Sequence, residues 1–334
     1  MMTRVIFFIG WIAFLWGCGD KDPSGQEVGE RSHIEPTQAD SSIPLRSFLD
    51  ADGNLVIKDS ALETALREIT GVKEGLIHKS NLDRFAALTL DGKGISDISV
   101  LGELGHLRNI NLTGNKISDL SPLARLPELE ELWIGENEVT SLMPLVGLRN
   151  LKVIEAHNNQ IFDINPVGNL IQLERLNLWR NKLSQIDAIK YCNQLEYLDL
   201  RENKIAEIIA VSGVSGLRFL LAERNQIKDI EPLRALVKLE KLYLGRNMIL
   251  DISPLGGLRE LKDLRLANNE IQSVSPLLSL SKLEFLELRG NQLRDVTPLH
   301  SLNCPRQVNL WGNPLSPEGI AGLRRALPVS DIRF

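Results

Sequence analysis

The 334-residue chain has little of what builds a disulfide-bonded domain, a metal site or a nucleic-acid-binding surface. Its 3 cysteines are too few for a disulfide framework, and its 5 histidines are scattered without metal-ligand spacing. A net charge of −5 leaves no electrostatic footprint for nucleic acid. No nucleophile elbow or phosphate-cradling glycine loop occurs. These absences predict a protein that is not an enzyme and that binds no metal or cofactor.

A long hydrophobic run is also absent, because the apolar segment near the N-terminus extends only from Val5 to Trp16. Twelve residues are too few to span a bilayer and suit the core of a signal peptide. The segment ends in Leu15-Trp16-Gly17-Cys18, which resembles the bacterial lipobox apart from the bulk of Trp16. This resemblance implies a signal peptide at 1–17, cleaved before an acylated Cys18. Plain secretion and an uncleaved anchor are the alternatives.

Residues 18–45 are polar and rich in Gly, Ser, Pro and acidic residues, so they cannot bury enough surface to fold. We interpret them as a flexible tether that links the lipid-modified Cys18 to a folded domain. The predicted location is therefore a bacterial cell envelope, with a lipid anchor in the outer membrane or at the cell surface. Secretion without an anchor is the second choice.

What the chain does have is an asparagine at every 22nd position over ten consecutive repeats, with no insertion. A fixed period of this kind predicts a solenoid, in which each coil stacks on the one before it. The ten asparagines are Asn115, Asn137, Asn159, Asn181, Asn203, Asn225, Asn247, Asn269, Asn291 and Asn313. A buried side-chain amide at this corner can bond the backbones of neighbouring coils. We therefore expect the asparagines to form a continuous ladder.

The residues around each asparagine follow the leucine-rich repeat. In the coil of Asn137, Leu132 and Ile134 lie two apart on a short strand, and aliphatic residues three apart follow on a tight return segment. A proline followed by Leu or Val recurs on that return side, as at Pro122. This 22-residue form resembles the internalin type of bacterial leucine-rich repeat protein. The resemblance implies an α/β repeat solenoid, a right-handed arc with a parallel concave sheet.

About eleven coils occupy 85–315 between two caps. A helical N-terminal cap is predicted for 46–84, with a helix from Ser60 to Gly71 that begins with a capping box of Ser60 and Glu63. A second short helix is expected over Ser80–Phe85. Residues 316–334 form the C-terminal cap, with a helix over Ser316–Leu327 and a last extended piece near Asp331–Phe334.

Two features that could suggest other chemistry have simpler interpretations. The segment from Asp50 to Asn54 resembles the start of a calcium loop, but Leu55 and Ala61 stand where an EF-hand needs Gly and Glu, so a turn is predicted. Cys192 falls in a leucine column about 24 Å from Cys304, at about 4.8 Å per strand. That distance is beyond disulfide reach, so both thiols are expected to be reduced.

Function should lie in the residues that do not repeat. We define the concave columns as the strand positions six, four, two and one residues before each ladder asparagine, numbered first to fourth. They hold all three tryptophans that follow the predicted signal peptide, and arginine far outnumbers lysine there. Aromatic residues and arginine are enriched in protein interfaces. The candidate partner-binding residues are Trp133, Trp179, Arg180, Tyr197, Arg201, Phe219, Leu221, Arg224, Tyr243 and Arg246.

In coils 5 to 8 these residues are expected to form an apolar strip surrounded by arginines. The strip would bind an unknown protein or peptide, and the internalin resemblance suggests adhesion. A solvated face with neutralising ion pairs is the simpler alternative for the arginines. A glycan ligand, an envelope scaffold without a dedicated ligand, and an intracellular regulator similar to phosphatase-binding repeat proteins remain the other interpretations.

Overall fold

The computed structural model describes residues 47–303 and 305–334, and Ser47–Phe334 form one compact unit. The signal peptide, the tether with Cys18, the first residue of the N-terminal cap and Cys304 lie outside the described residues. None of the helices in the described ranges is both long and apolar enough to cross a membrane.

Twelve parallel strands form a single sheet in which every strand pairs with the next one along the chain. The register advances by one coil per rung, so that Leu132 pairs with Ile154, and Ile154 pairs in turn with Leu176. The strands are β1 Ala87–Thr89, β2 Asn109–Asn111, β3 Glu131–Trp133, β4 Val153–Glu155, β5 Arg175–Asn177, β6 Tyr197–Asp199, β7 Phe219–Leu221, β8 Lys241–Tyr243, β9 Asp263–Arg265, β10 Phe285–Glu287, β11 Gln307–Asn309 and β12 Asp331–Arg333. The predicted repeat solenoid is confirmed.

Each coil from β1 to β10 returns from its strand through a short segment of 3-10 helix. Most of these helices carry proline at their first or second position, where its fixed φ suits the turn and its missing N–H costs nothing. They span Ser99–Glu103, Ser121–Arg125, Met143–Leu145, Asn165–Asn169, Asp187–Tyr191, Ile209–Gly213, Glu231–Ala235, Ser253–Gly257, Ser275–Ser279 and Thr297–Ser301. Strand and return segment enclose a continuous core of aliphatic side chains.

The core takes its members from the strand positions five and three before each asparagine. Leu198 and Leu200 in the coil of Asn203 are fully buried, as are Leu220 and Ala222 in the next coil apart from a trace of exposure. The buried thiol of Cys192 is free and occupies a core position, as predicted. Because the inward positions alternate with outward ones, the concave columns face away from this core.

The asparagine ladder joins the coils as predicted. In Asn203, the amide nitrogen donates to the carbonyl of Leu178 in the previous coil at 2.9 Å and to that of Leu200 at 3.0 Å. Its Oδ1 accepts from the backbone N of Leu183 at 2.9 Å. The same set recurs along the ladder, with most of the asparagines 5–9% exposed. Each amide therefore satisfies buried backbone groups of two coils at once.

The N-terminal cap begins with α1, Ser60–Thr70, which ends at Gly71 in the left-handed conformation, φ 79°. The predicted helix is confirmed, but the predicted capping box of Ser60 and Glu63 is wrong. Asp59 is the N-cap, and Glu63 instead forms an ion pair with Arg67 at 2.7 Å. Aspartate is a strong N-cap, so the first helical residue lies one position earlier than the capping box indicated.

Asp59 also joins the cap to the first coil. Its Oδ1 accepts from the backbone N atoms of Ala61 and Leu62, each at 2.9 Å. Its Oδ2 accepts from the backbone N of Ser96 at 2.8 Å and of Asp97 at 3.0 Å. Burial alone would raise the pKa of this carboxyl, but these hydrogen bonds outweigh it and lower the pKa to about 2.

The second helix predicted over Ser80–Phe85 is wrong in extent. One 3-10 turn spans Lys79–Asn81, and a further turn follows, in which the N–H of Phe85 donates to the carbonyl of Leu82 at 2.9 Å. The chain must be extended by the start of β1, so two single turns replace the helix. The segment near Asp50 is a turn, as predicted, because the Asp50 carboxylate accepts from the N–H of Asn54 at 2.8 Å.

The C-terminal cap contains α2, Pro317–Ala326, with Ser316 as its N-cap. Leu323 and Leu327 are buried against the last coil, and Ile320 is half-buried. The extended piece is also present, since β12 pairs in parallel with β11. The last coil is therefore covered by a helix and one additional strand.

We predict that Asn203→Ala destabilises the protein by about 2–4 kcal/mol, because it leaves backbone groups of two coils buried without partners. Urea unfolding followed by circular dichroism measures the change. The control is Asn193→Ala at an exposed position, which should change the free energy of unfolding by less than about 0.5 kcal/mol. Equal effects of the two substitutions would contradict the structural role of the ladder.

We further predict that protonation of Asp59 lowers the free energy of unfolding at acid pH. Its pKa is about 2 in the folded protein and 3.8 in its ordinary state, so its contribution is present above pH 3.8 and is lost as pH falls towards 2. Urea midpoints measured between pH 2 and pH 6 should therefore fall less steeply in Asp59→Asn than in the parent chain. Asp52→Asn, at an exposed position, is the control. Parallel pH profiles for the parent and Asp59→Asn would contradict the assignment.

Candidate partner-binding surface

The three tryptophans of the concave columns lie outside the core, as predicted. Trp133 and Trp179 are half-buried among neighbouring side chains, and Trp311 is 60% exposed. Large aromatic rings on an outward face remove little apolar surface from water. They are therefore not explained by the packing of the core.

The aromatic residues of coils 5 to 8 are brought close together. The rings of Tyr197 and Phe219, on adjacent strands, have centroids 6.2 Å apart, and Trp179 stacks on His157 at 6.0 Å. The hydroxyl of Tyr243 donates to Asp263 at 2.6 Å. Leu221 departs from the expected exposed strip, because it is only 7% exposed and offers little surface to a partner.

Guanidinium groups lie over these rings, so the strip is not purely apolar. Arg175 lies 3.6 Å from the centroid of Tyr197, and Arg265 lies 4.2 Å from that of Tyr243. Arg201 lies 5.3 Å from the ring of Trp179. Cation–π contacts of this kind hold both partners in place. The predicted apolar strip is thus an alternating array of rings and cations.

Several of the acids on this face pair with the same arginines. Asp199, which is fully buried, accepts from Nε of Arg201 at 2.9 Å, and Asp263 accepts from Arg265 at 3.0 Å. Arg175 pairs with Glu155 of the previous coil. The neutralising ion pairs considered from the sequence therefore exist, and they account for these arginines. They do not account for every arginine of the concave columns.

The carboxylate of Glu223 lies among these pairs without a hydrogen-bond partner within the described residues. Burial raises the pKa of its carboxyl, although the positive charges of Arg201 and Arg265 act in the opposite direction. Arg224, in the neighbouring column, approaches Glu202 at 3.7 Å. This part of the surface is therefore densely charged, with nearly balanced signs.

The fourth column has left-handed backbone geometry, which was not predicted. Its non-glycine residues have φ between 52° and 56°, among them Arg180, Arg224 and Arg246. Glycine occupies the same place in other coils, as at Gly290 and Gly312. A residue with a side chain costs roughly 1–2 kcal/mol in this conformation, and glycine does not. The arginines are therefore present despite the backbone and not because of it.

A cavity of about 560 Å³ extends along the concave columns, with lining residues from Trp179 in coil 5 to Asn309 in coil 11. Gly245 and Ala267 form its floor, because neither fills the space that a larger side chain takes in other coils. Glu223 and Arg289 flank these two small residues in the third column. The cavity was not predicted from the sequence, because the prediction relied on large side chains in the concave columns. The feature that indicates the cavity is a pair of small residues in the same column of adjacent coils.

Of the residues predicted to bind a partner, Trp179, Arg201, Arg224 and Arg246 line this cavity. Trp133 lies on β3, two coils before Trp179, and it does not line the cavity.

Two family models match the chain. Leucine Rich repeats (2 copies) matches residues 105–147, 215–257 and 259–299, and Leucine rich repeat matches 169–227. The chain belongs to the leucine-rich repeat family. Proteins of this fold are typically non-enzymatic scaffolds that mediate protein–protein interaction.

Solved internalins share this architecture. Internalin C2 from Listeria monocytogenes is 30% identical, with 70% of this chain and 93% of that one covered and a TM-score of 0.53. An internalin (inlF) from the same species is 26% identical, with 82% and 94% covered and a TM-score of 0.72. No curated protein matches the chain.

A plant receptor has a similar fold. The ectodomain of the receptor kinase GASSHO1/SCHENGEN3 from Arabidopsis thaliana, solved in complex with Casparian strip integrity factor 2, is 21% identical, with a TM-score of 0.58. The alignment covers 74% of this chain and 38% of that one. At this identity the likeness concerns the fold alone.

Proposed function

We propose that this protein binds a protein or peptide partner through the concave columns of coils 5 to 8. The observation that carries the proposal is the placement of Tyr197, Phe219 and Tyr243 on the outward face of three consecutive strands, with Trp179 two residues beyond the end of the preceding strand. The core does not need these rings, and the left-handed arginines beside them cost stability. Rings and arginines together have the composition of interface hot spots.

The N-terminal sequence supports a location in a bacterial envelope. Cys18 follows a lipobox-like segment, and the polar residues up to 45 are long enough to hold the folded unit away from a membrane. A lipid-anchored protein that binds its partner through the concave columns is consistent with both this location and the surface. Adhesion is the role that the resemblance to internalins favours.

A glycan partner ranks second. Sugars bind by stacking on open aromatic faces, and one face of Tyr197 is covered by the Arg175 guanidinium at 3.6 Å. Protein contacts tolerate such cation–π pairs, since arginine and aromatic side chains both take part in interfaces. A scaffold without a dedicated ligand would need no rings in these columns.

We predict that Trp179→Ala/Phe219→Ala/Tyr243→Ala abolishes capture of a partner that the parent chain retains from envelope extracts. Hot-spot residues each contribute on the order of 2 kcal/mol or more to binding. Captured proteins are identified by mass spectrometry, and circular dichroism establishes that the variant is folded. Single substitutions replace the triple variant if it unfolds.

The matched control removes two aromatic side chains outside the concave columns. Phe162 and Tyr191 are 61% and 50% exposed, so Phe162→Ala/Tyr191→Ala tests the loss of exposed rings as such. Capture should persist in this variant. Equal capture by the parent chain and the triple variant would sink the concave-column proposal.

We also predict that Cys18→Ser prevents lipid modification. Cells grown with labelled palmitate should incorporate label into the parent chain and not into the variant, and the variant should leave the membrane fraction. Cys192→Ser is the control, because this thiol is buried in the core. Label in both chains, or a parent chain in the cytoplasmic fraction, would contradict the envelope location.

A further inference from the structure

The cavity over Gly245 and Ala267 has a feature that the aromatic residues do not explain. Its walls carry five arginines, and several arginines of the concave columns have an acidic partner: Arg201 pairs with Asp199, and Arg265 with Asp263. For a cavity arginine without such a partner, it must be asked which group balances its charge.

Two of the cavity's arginines are such cases. Neither Arg246 nor Arg289 forms an ion pair with any residue in the described ranges, and the buried Nε of Arg289 has no hydrogen-bond partner there. The nearby Glu287 carboxylate accepts instead from the backbone N of Arg289 at 3.0 Å and from Asn309 at 2.9 Å. A half-buried cation such as Arg289 is costly without a partner, unless a ligand supplies the anion.

We propose that this cavity binds the carboxylate of an acidic peptide segment, with Arg289 as its principal donor and Arg246 as a second cation at the rim. A guanidinium and a carboxylate match as a planar, two-bond pair. A phosphate dianion fits less well, because Glu223, Asp263 and Glu287 also line the cavity and would repel its second charge.

The shape of the cavity limits what accompanies the carboxylate. Its floor runs from Glu223 past Gly245 and Ala267 to Arg289, three rung spacings or about 14 Å. An extended peptide advances about 3.3 Å per residue, so about four residues lie along this floor. The small side chains leave room for that backbone, and a larger residue would fill it.

The inference deepens the proposed function and rests on it. The probe is a library of random twelve-residue peptides with free C-termini, selected on the immobilised full-length chain. Enriched peptides are then synthesised in three forms: unchanged, with Asp and Glu replaced by Asn and Gln, and with an amidated C-terminus. Fluorescence anisotropy measures the affinity of each form, so side-chain and terminal carboxylates are distinguished.

The chain itself offers well-matched variants. Arg289→Gln removes the charge, and Arg246→Gly introduces the residue that the same column carries at Gly290. Ala267→Trp fills the cavity with the side chain that the same column carries at Trp179 and Trp311. Arg294→Gln is the control for the charge, since Arg294 is exposed, lacks an ion pair within the described part of the chain, and lies outside both the cavity and the concave columns. Thr113→Trp is the control for bulk.

We expect enrichment of acidic peptides or of a preferred terminal residue, with tenfold to hundredfold weaker binding when the carboxylate or Arg289 is removed, on the order of a charge-assisted hydrogen bond. Removing both should add little, because they share one interaction. Ala267→Trp should abolish binding, whereas both controls should bind within about twofold of the parent chain.

Three results would overturn the proposal: enriched peptides without carboxylate dependence, equal losses in Arg289→Gln and Arg294→Gln, or unchanged binding in Ala267→Trp. Displacement by inorganic phosphate at concentrations where acetate has no effect would assign the site to phosphate instead. If binding depends on Trp179 and Phe219 but not on Arg289, the carboxylate site fails and the proposed function stands.

Discussion

The side-chain amide of the ladder asparagine is the interaction on which the rest of the structure depends. It satisfies a donor of one coil and carbonyls of two, in a place where water is excluded. Neither leucine nor serine could reach all of these atoms. An insertion in one coil would move its asparagine out of register with the carbonyl below. The 22-residue period is therefore a hydrogen-bonding constraint as much as a packing one.

That constraint separates two kinds of position. Inward strand residues pack in the core, so they vary only among aliphatic side chains. The ladder position requires the asparagine amide and does not vary across the ten repeats. The concave columns carry no such demand, and the third column holds tryptophan, glycine, arginine and glutamate at equivalent places in different coils. Arg246 and Gly290 show this most directly, since both adopt the left-handed conformation that only glycine adopts without cost. The residue type at these positions is therefore set by what binds to the surface and not by the core.

The sequence allowed the coils to be placed correctly because their period is long and unbroken. Its failures lie where local chemistry has two solutions. Ser60 and Asp59 can both cap a helix, and only the additional bonds from Asp59 to Ser96 and Asp97 decide between them. The column of Leu221 predicts an accessible side chain, but Leu221 is only 7% exposed. The cavity lies where the small residues Gly245 and Ala267 occupy the same column of adjacent coils, a signal that a count of large residues overlooks.

The two halves of the candidate site differ in how their charges are used. Arg175, Arg201 and Arg265 are fixed by acids and rings, so they arrive at a partner already ordered and lose little side-chain entropy on binding. Arg246 and Arg289 have no such partner within the described residues, and their charge is still available. A surface of ordered rings can supply contact area for many partners, whereas an unpaired guanidinium in a cavity selects for an anion. The ordered rings thus supply affinity, and the unpaired arginines beside them supply selectivity.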